Sequence, residues 1–357
     1  FSCTKPVIWQ CSRKVTFGNA SNAAIHARQQ WVNEFKPDAE QAKSYQQQGF
    51  TTVQSGRFDG IFRGQAFVTS LLPGLPNEAV MQAQANQFMA FSKGTSVQSY
   101  PSSLMGSIAL IRQTLSDANW YRAAYGKQDQ LQTRQPVEFN AALAGLANVK
   151  QQGVLFDTSD ERSLLRASKL LSEFEITNAL LLGSGYEYSR LEQIKATGKP
   201  ILLPLNFPAA PDVTTAEQRL DVNLADLRHW ERAPANAAAL AQAGVPFALT
   251  TYKLKDTKDF WPNLRKAVQY GLSADTALAA LTTVPAKLSG VADKLGKIAP
   301  GYQADLVLAD GDLFADGNIV ATWIRGQQHN YAAIAPVEFA GEYQLAVAGK
   351  TVKVTLK

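Results

Sequence analysis

Three carboxylates follow predicted strands and are the residues best placed to do chemistry. Asp59, Asp157 and Glu187 each come shortly after a short apolar stretch. In barrel enzymes, the residues at the carboxyl ends of the strands form the active site. Three carboxylates brought together there would hold a hard cation such as Mg²⁺ or Ca²⁺. The structural alternative, which we favour, is that Asp157 helps cap the following helix while Asp59 pairs with Arg57 or Arg63.

Histidine is scarce, with His26, His229 and His329 well separated along the chain. His229 lies on a long excursion after the third apolar strand, where a general base is one interpretation. We favour a histidine packed beside Trp230. The other two histidines are interpreted as structural.

The elements that must position these residues alternate between short apolar strands and amphipathic helices. The apolar runs cover residues 154–156, 179–182, 201–205 and 246–249. Strands of this kind on both sides of helices are typical of a parallel sheet buried on both faces. No glycine-rich phosphate loop follows an early strand, so we predict a (β/α)₈ TIM-like barrel rather than a doubly wound sheet. At least six parallel strands should close around a core that includes Val154, Leu181, Leu203 and Phe247.

The sequence also predicts how the chain is divided. Residues 1–24 lack a clear period, residues 25–298 form the α/β barrel, and residues 299–334 add strands of a partial β-sandwich. Residues 335–357 form a hairpin that begins a further module. The chain starts at Phe1 rather than methionine, so we interpret it as a fragment or a mature product.

Composition excludes two classes of partner. The net charge is +5, but the 35 basic residues are scattered, which does not build a nucleic-acid groove. No apolar run is long enough to span a membrane. Cys3 and Cys11 build neither a disulfide framework nor a zinc site, and they indicate no particular compartment.

Two stretches near the C-terminus carry a resemblance to a known family. Residues 271–287 read GLSADTALAALTTVPAK, and residues 295–310 read LGKIAPGYQADLVLAD. They resemble the last barrel helix of the amidohydrolase superfamily and the segment that connects this helix to a β-sandwich. Residues 320–326, VATWIRG, are similar to the next sandwich strand. The similarity covers roughly residues 25–335 and points to the branch of imidazolonepropionase-like and prolidase-like hydrolases.

This resemblance implies metal-dependent hydrolysis of carbon–nitrogen bonds on zinc. Family members carry a His-x-His pair, a histidine after each of two middle strands and an aspartate after the last strand. The metal lowers the pKa of a bound water, and the aspartate takes its proton.

The chain departs from that pattern. It has no His-x-His, and Asp157 stands where the first middle histidine is expected. The next strand end, Gly183-Ser184-Gly185, offers no ligand, and Tyr252 stands near the place of the aspartate. We therefore assign no metal ligand and expect no cofactor.

Two functions remain open. The first is a catalytically degenerate amidohydrolase module, acting as the structural or ligand-binding half of a longer chain with a further domain. Arg57, Arg63 and Tyr252 would then meet the three carboxylates at the barrel mouth and bind a small polar ligand. The second is an active amidohydrolase for amides, cyclic amides or dipeptides, with an atypical carboxylate-based or partly missing metal site.

Overall fold

The computed structural model describes residues 2–3, 22–72, 74–125, 137–332, 341–347 and 350–356. Residues 4–21, and with them Cys11 and most of the predicted irregular segment, lie outside this description. The strands are β1 (Ser2–Cys3), β2 (Thr52–Ser55), β3 (Phe62–Gln65), β4 (Phe67–Ser70), β5 (Val80–Gln82), β6 (Gln87–Ala90), β7 (Val154–Asp157), β8 (Ala179–Leu182), β9 (Ile201–Pro204), β10 (Phe247–Thr250), β11 (Leu306–Ala309), β12 (Ile319–Ile324), β13 (Gln327–Asn330), β14 (Gly341–Val347) and β15 (Lys350–Leu356).

Helices separate the strands along most of the chain. The α-helices are α1 (Ala39–Gln46), α2 (Pro76–Ala79), α3 (Leu104–Tyr125), α4 (Ala141–Ala144), α5 (Val149–Gln152), α6 (Glu161–Glu173), α7 (Leu191–Ala196), α8 (Ala216–Asp221), α9 (Leu224–Arg232), α10 (Asn236–Gln242), α11 (Phe260–Gln269), α12 (Ala274–Leu281) and α13 (Thr283–Leu288). Ser273 caps α12, because its side chain accepts from the backbone N–H of Thr276.

The central sheet has the strand order β10-β9-β8-β7-β6-β3. Strands β6 to β10 are all parallel, while β3 pairs antiparallel with β6. Within the described residues the sheet therefore has five parallel strands, one fewer than the predicted six. The reason is a chain reversal after β2, which passes through Gly60 at a φ of +92°, a conformation that favours glycine. Among the described residues β3 and β10 are its edges, and no pairing closes it.

Three smaller groups of strands complete the structure. A four-stranded sheet has the order β1-β2-β4-β5, and a three-stranded sheet has the order β11-β12-β13. Only Ala66 separates β3 from β4, so one extended stretch joins the central sheet to the four-stranded one. Strands β14 and β15 form an antiparallel pair. None of the helices in the described part of the chain is long and apolar enough to cross a membrane.

The core lies between the central sheet and its helices. The predicted core residues Val154, Leu181, Leu203 and Phe247 are all buried in one cluster, which confirms that prediction. The α6 helix contributes a stripe of leucines and alanines on its buried face. Strands β8, β9 and β10 are buried at every position, which explains their unbroken apolar sequences.

Replacing Leu181 by alanine should lower the free energy of unfolding by about 2–5 kcal/mol, because the side chain is fully buried and leaves a cavity. Leu220 is 87% exposed, so Leu220→Ala is the matched control and should have almost no effect. Urea unfolding measures both values. Equal losses in the two variants would contradict this packing.

Candidate functional site

A buried ion pair connects strands β3 and β7 at the edge of the central sheet where the parallel strands have their carboxyl ends. The guanidinium Nη1 of Arg63 on β3 lies 2.9 Å from Oδ2 of Asp157, the last residue of β7. The side chains are 5% and 15% exposed, respectively. The hydroxyl of Tyr252, which follows β10, donates to the same carboxylate oxygen at 3.2 Å. The structure thus brings together three of the residues singled out in the sequence.

Arg63 reaches this position through a β-bulge. The pairing of β3 with β6 shifts between Phe62 and Gly64, which leaves Arg63 as the extra residue; bulges of this kind redirect a side chain. Gly64 has a φ of +89°, and a Cβ there would meet the carbonyl oxygen of Gln29 at 2.6 Å. The arginine also donates from Nε to the carbonyl oxygen of Gly60 at 3.0 Å.

An aromatic stack covers the ion pair. The rings of Phe58 and Tyr252 stack with centroids 4.7 Å apart, and the Arg63 guanidinium lies 5.4 Å from the Phe58 centroid. Such apolar surroundings strengthen a charge pair, but they require each charge to be fully compensated.

Lys253 is a residue at this site that the sequence analysis missed. Its Nζ donates to the carbonyl oxygens of Thr158 at 3.0 Å and of Gly183 at 3.1 Å. Those residues directly follow β7 and β8. Burial lowers the pKa of Lys253, and the charges of Asp157 and Glu187 partly offset this. In the sequence Lys253 belongs to a basic stretch, residues 253–258. Only its position three residues after β10 could have identified it as a site residue.

Asp59 and Arg57 form a pair of their own. Their side chains lie 3.2 Å apart, and the Asp59 carboxylate also accepts from the backbone N–H and the hydroxyl of Thr95, each at 2.7 Å. Burial raises the pKa of Asp59, but these hydrogen bonds and the charge of Arg57 hold it below its usual value. A side chain at position 94 would collide with this carboxylate, because a Cβ on Gly94 would lie only 1.9 Å from it. Asp59 therefore pairs with Arg57, one of the two partners in the structural alternative, and its bonds to Thr95 tie two loops together.

Glu187 lies in a separate buried turn. It is fully buried and accepts from the backbone N–H groups of Ser184 and Gly185 at 2.6 and 3.0 Å. Asn236 donates to it at 2.6 Å. The expected convergence of Glu187 with Arg57 and Asp59 is therefore not found.

Asp157 does not cap the helix that follows it. The N-cap of α6 is Asp160, whose side chain accepts from the backbone N–H of Ser163 at 2.7 Å. The capping interpretation of Asp157 is wrong because its carboxylate is engaged by Arg63 and Tyr252.

His229 is packed, though not as predicted. Its ring stacks on Tyr186, with centroids 3.6 Å apart, rather than on Trp230. Its Nδ1 lies 3.2 Å from the hydroxyl of Tyr188. The stack borders a cavity of about 440 Å³ beside the ends of β8 and β9. Burial lowers the pKa of His229, although the charges of Glu187 and Asp226 raise it.

The other two histidines are not members of the Arg63–Asp157–Tyr252 group. His26 is buried and contacts the turn at Gly60, where burial lowers its pKa. His329 lies on β13 of the C-terminal sheet. Neither has a contact with Asp157 among the residues described.

The described side chains do not fit the family's zinc site. Within the described ranges, no three His, Cys, Asp or Glu side chains come together as a group able to hold a metal ion. The carboxylate of Asp157 already binds a guanidinium, and a lysine ammonium contacts the two strand ends where the histidines are expected. Zinc needs several nitrogen, sulfur or oxygen ligands in tetrahedral arrangement.

Comparison with known proteins agrees with the sequence resemblance. The family model "Amidohydrolase family" matches residues 188–335. The amidohydrolase tasK of Hapsidospora irregularis is 44% identical over 62 residues. That match covers 17% of this chain, and the chain spans only 6% of the length of that relative. Residues 188–335 are therefore similar to the amidohydrolase family, within the region where the sequence resemblance lies.

A solved structure shows the same fold over most of the chain. The amidohydrolase from Thermotoga maritima MSB8 superposes with a TM-score of 0.70 at 20% sequence identity. The superposition covers 86% of this chain and 79% of that chain. The amidohydrolase fold is therefore retained at a low level of identity.

Arg63→Met should destabilise the protein by about 3–5 kcal/mol, because it leaves the buried carboxylate of Asp157 without its cation. Arg112→Met removes an exposed ion pair with Glu173 and should change stability by less than about 1 kcal/mol. Both values come from urea unfolding at neutral pH. A loss for Arg63→Met no larger than that of the control would show that the buried pair is not formed.

His229 should make stability depend on pH in a defined direction. Because its folded pKa lies below the ordinary value of 6.5, the unfolded chain takes up the proton more readily as the pH falls below that value. Stability that is present above pH 6.5 is then lost on acidification. The wild-type protein should lose more stability between pH 7.5 and 5.5 than His229→Gln. Identical pH slopes would rule out this contribution.

Proposed function

We propose that this part of the chain is a non-hydrolytic amidohydrolase-family module that binds a small polar ligand at the carboxyl ends of its strands. The observation that carries the proposal is the engagement of Asp157 by Arg63 and Tyr252. A carboxylate in an ion pair of this kind is a poor metal ligand, and it is a poor base for an activated water, because its charge is already compensated.

The proposal includes closure of the central sheet into a (β/α)₈ barrel. Two observations support it. Strand β1 pairs parallel with β2, so parallel pairing also exists outside the central sheet. The fold also superposes on that of the Thermotoga maritima amidohydrolase over 86% of the chain. A closed barrel would place the Arg63–Asp157 pair at its mouth.

The cavity beside Tyr186 and His229 is the place where such a ligand would bind. It lies next to the ends of β8 and β9, and three aspartates line it together with the aromatic rings, namely Asp212, Asp221 and Asp226. A ligand there would be polar and would carry hydrogen-bond donors to meet these carboxylates.

Hydrolysis of amide, cyclic amide or dipeptide substrates is the second candidate function. The match of residues 188–335 to the amidohydrolase family model and the similarity to amidohydrolase tasK favour it. It requires ligands beyond those in the described ranges, for example from a further domain of the same protein. The two candidates differ in metal content and in turnover.

The purified protein should contain no stoichiometric zinc and should not hydrolyse a panel of dipeptides and N-acyl amides. Metal analysis by mass spectrometry and a ninhydrin assay measure these outcomes, with an active zinc amidohydrolase in the same assay as control. Asp157→Asn tests the alternative, because a carboxylate-based metal site would lose both metal and turnover in this variant. One zinc per chain together with hydrolysis that Asp157→Asn abolishes would overturn the proposal.

A further inference from the structure

We infer that the ammonium group of Lys253 supplies, from within the chain, the positive charge that a bound metal supplies at the strand ends of hydrolytic family members. The inference rests on the proposed function, since it assumes that no metal takes this place. It gives Lys253 a positioning role, because the group contacts the backbone at the ends of two strands.

The contacts of the ammonium group define this role. Nζ binds the carbonyl oxygens of Thr158 and Gly183 at 3.0 and 3.1 Å. These carbonyl groups follow β7 and β8, the two strands whose ends carry the middle histidines in the family pattern. The same strand ends are also tied by Thr158, whose hydroxyl donates to the carbonyl oxygen of Leu182 at 2.6 Å. One cation therefore bridges neighbouring strands where two metal ligands would otherwise converge.

The charges around the ammonium group also support the role of Lys253 as an internal cation. The charges of Asp157, Glu187 and Asp160 all act on Lys253, while Arg63 pairs with Asp157. The ammonium group and the guanidinium therefore already supply two positive charges near Asp157. A divalent metal placed here would add positive charge next to both cations.

The backbone at Lys253 is held in a conformation that lysine rarely adopts. Its φ is +68°, in the left-handed region that glycine and asparagine favour. Such strain persists when the surroundings hold the residue in place. Here the ammonium contacts do so, together with the Tyr252 ring, whose centroid lies 5.5 Å from Nζ.

The neighbouring Lys255 provides a matched control, because its side chain is exposed. Lys253→Met keeps the unbranched apolar stem, one atom shorter, but removes the charge and the hydrogen-bond donors. We expect a fall in Tm of roughly 5–10 °C for Lys253→Met and almost no change for Lys255→Met. The Tm of the wild-type protein should be the same with EDTA and with equimolar zinc.

A second variant keeps the test decisive if Lys253→Met fails to fold. Lys253→Gly relieves the strain at positive φ and leaves a channel that n-butylammonium can enter. Millimolar n-butylammonium should raise the Tm of Lys253→Gly, whereas n-butanol at the same concentration should not. Lys255→Gly should respond to neither compound.

Three results would overturn the inference. They are a Tm of Lys253→Met equal to that of Lys255→Met, rescue of Lys253→Gly by butanol as well as by the ammonium compound, and loss of wild-type stability in EDTA. The first two leave the proposed function intact, because they concern the lysine alone. Zinc with turnover in the wild-type protein would instead overturn the proposed function itself.

Discussion

The buried ion pair between Arg63 and Asp157 is the interaction on which the carboxyl edge of the sheet depends. It joins the antiparallel strand β3 to the parallel strand β7, although β6 lies between them in the sheet. A pair so little exposed is stable only if its remaining hydrogen-bonding positions are filled. The carbonyl oxygen of Gly60 and the hydroxyl of Tyr252 fill two of them. The bulge in β3, the turn at Gly60 and the loop after β10 are thus linked through one contact.

The fold and the site are separable in this chain because different residues build them. Residues such as Phe156 and Leu181 are buried at the centre of the sheet, and their burial is the main source of stability. The residues that follow them at the strand ends are polar and contribute little to that core. The residues at the strand ends can therefore differ while the fold still superposes on the Thermotoga maritima amidohydrolase at 20% identity, as expected when function is carried by sites placed on a fold.

Sequence patterns predict the parallel strands well because burial on both faces leaves an unbroken apolar run. Strands β7 to β10 were each visible in this way. Strand β3 was not, because it contains Arg63 and Gln65, and its direction depends on backbone conformations at Gly60 and Gly64. The cap of helix α6 is Asp160 rather than the predicted Asp157, because the carboxylate of Asp157 is bound by Arg63 and Tyr252.

The candidate site could be predicted only in part, because local sequence patterns do not record contacts between residues that are distant in the sequence. The position of Asp157 at a strand end follows from local periodicity, whereas its partner lies 94 residues earlier and arrives through a bulge. Lys253 and Lys255 look alike in the sequence, and only tertiary structure buries one and exposes the other. No local pattern records that difference.

Charge balance connects the proposed absence of a metal with the two cations at the strand ends. Two unit charges of the same sign 4 Å apart repel by about 4 kcal/mol at an effective dielectric constant of about 20, and a divalent ion doubles this value. A metal could not share the ends of β7 and β8 with both Lys253 and Arg63 at that energy. Restoring a histidine at position 157 alone would remove the carboxylate that compensates Arg63 and would still leave the ammonium group of Lys253 on the strand ends. Under the proposed function, metal binding at these strand ends would therefore require removal of the cations together with introduction of the ligands, and no single substitution would create a metal site.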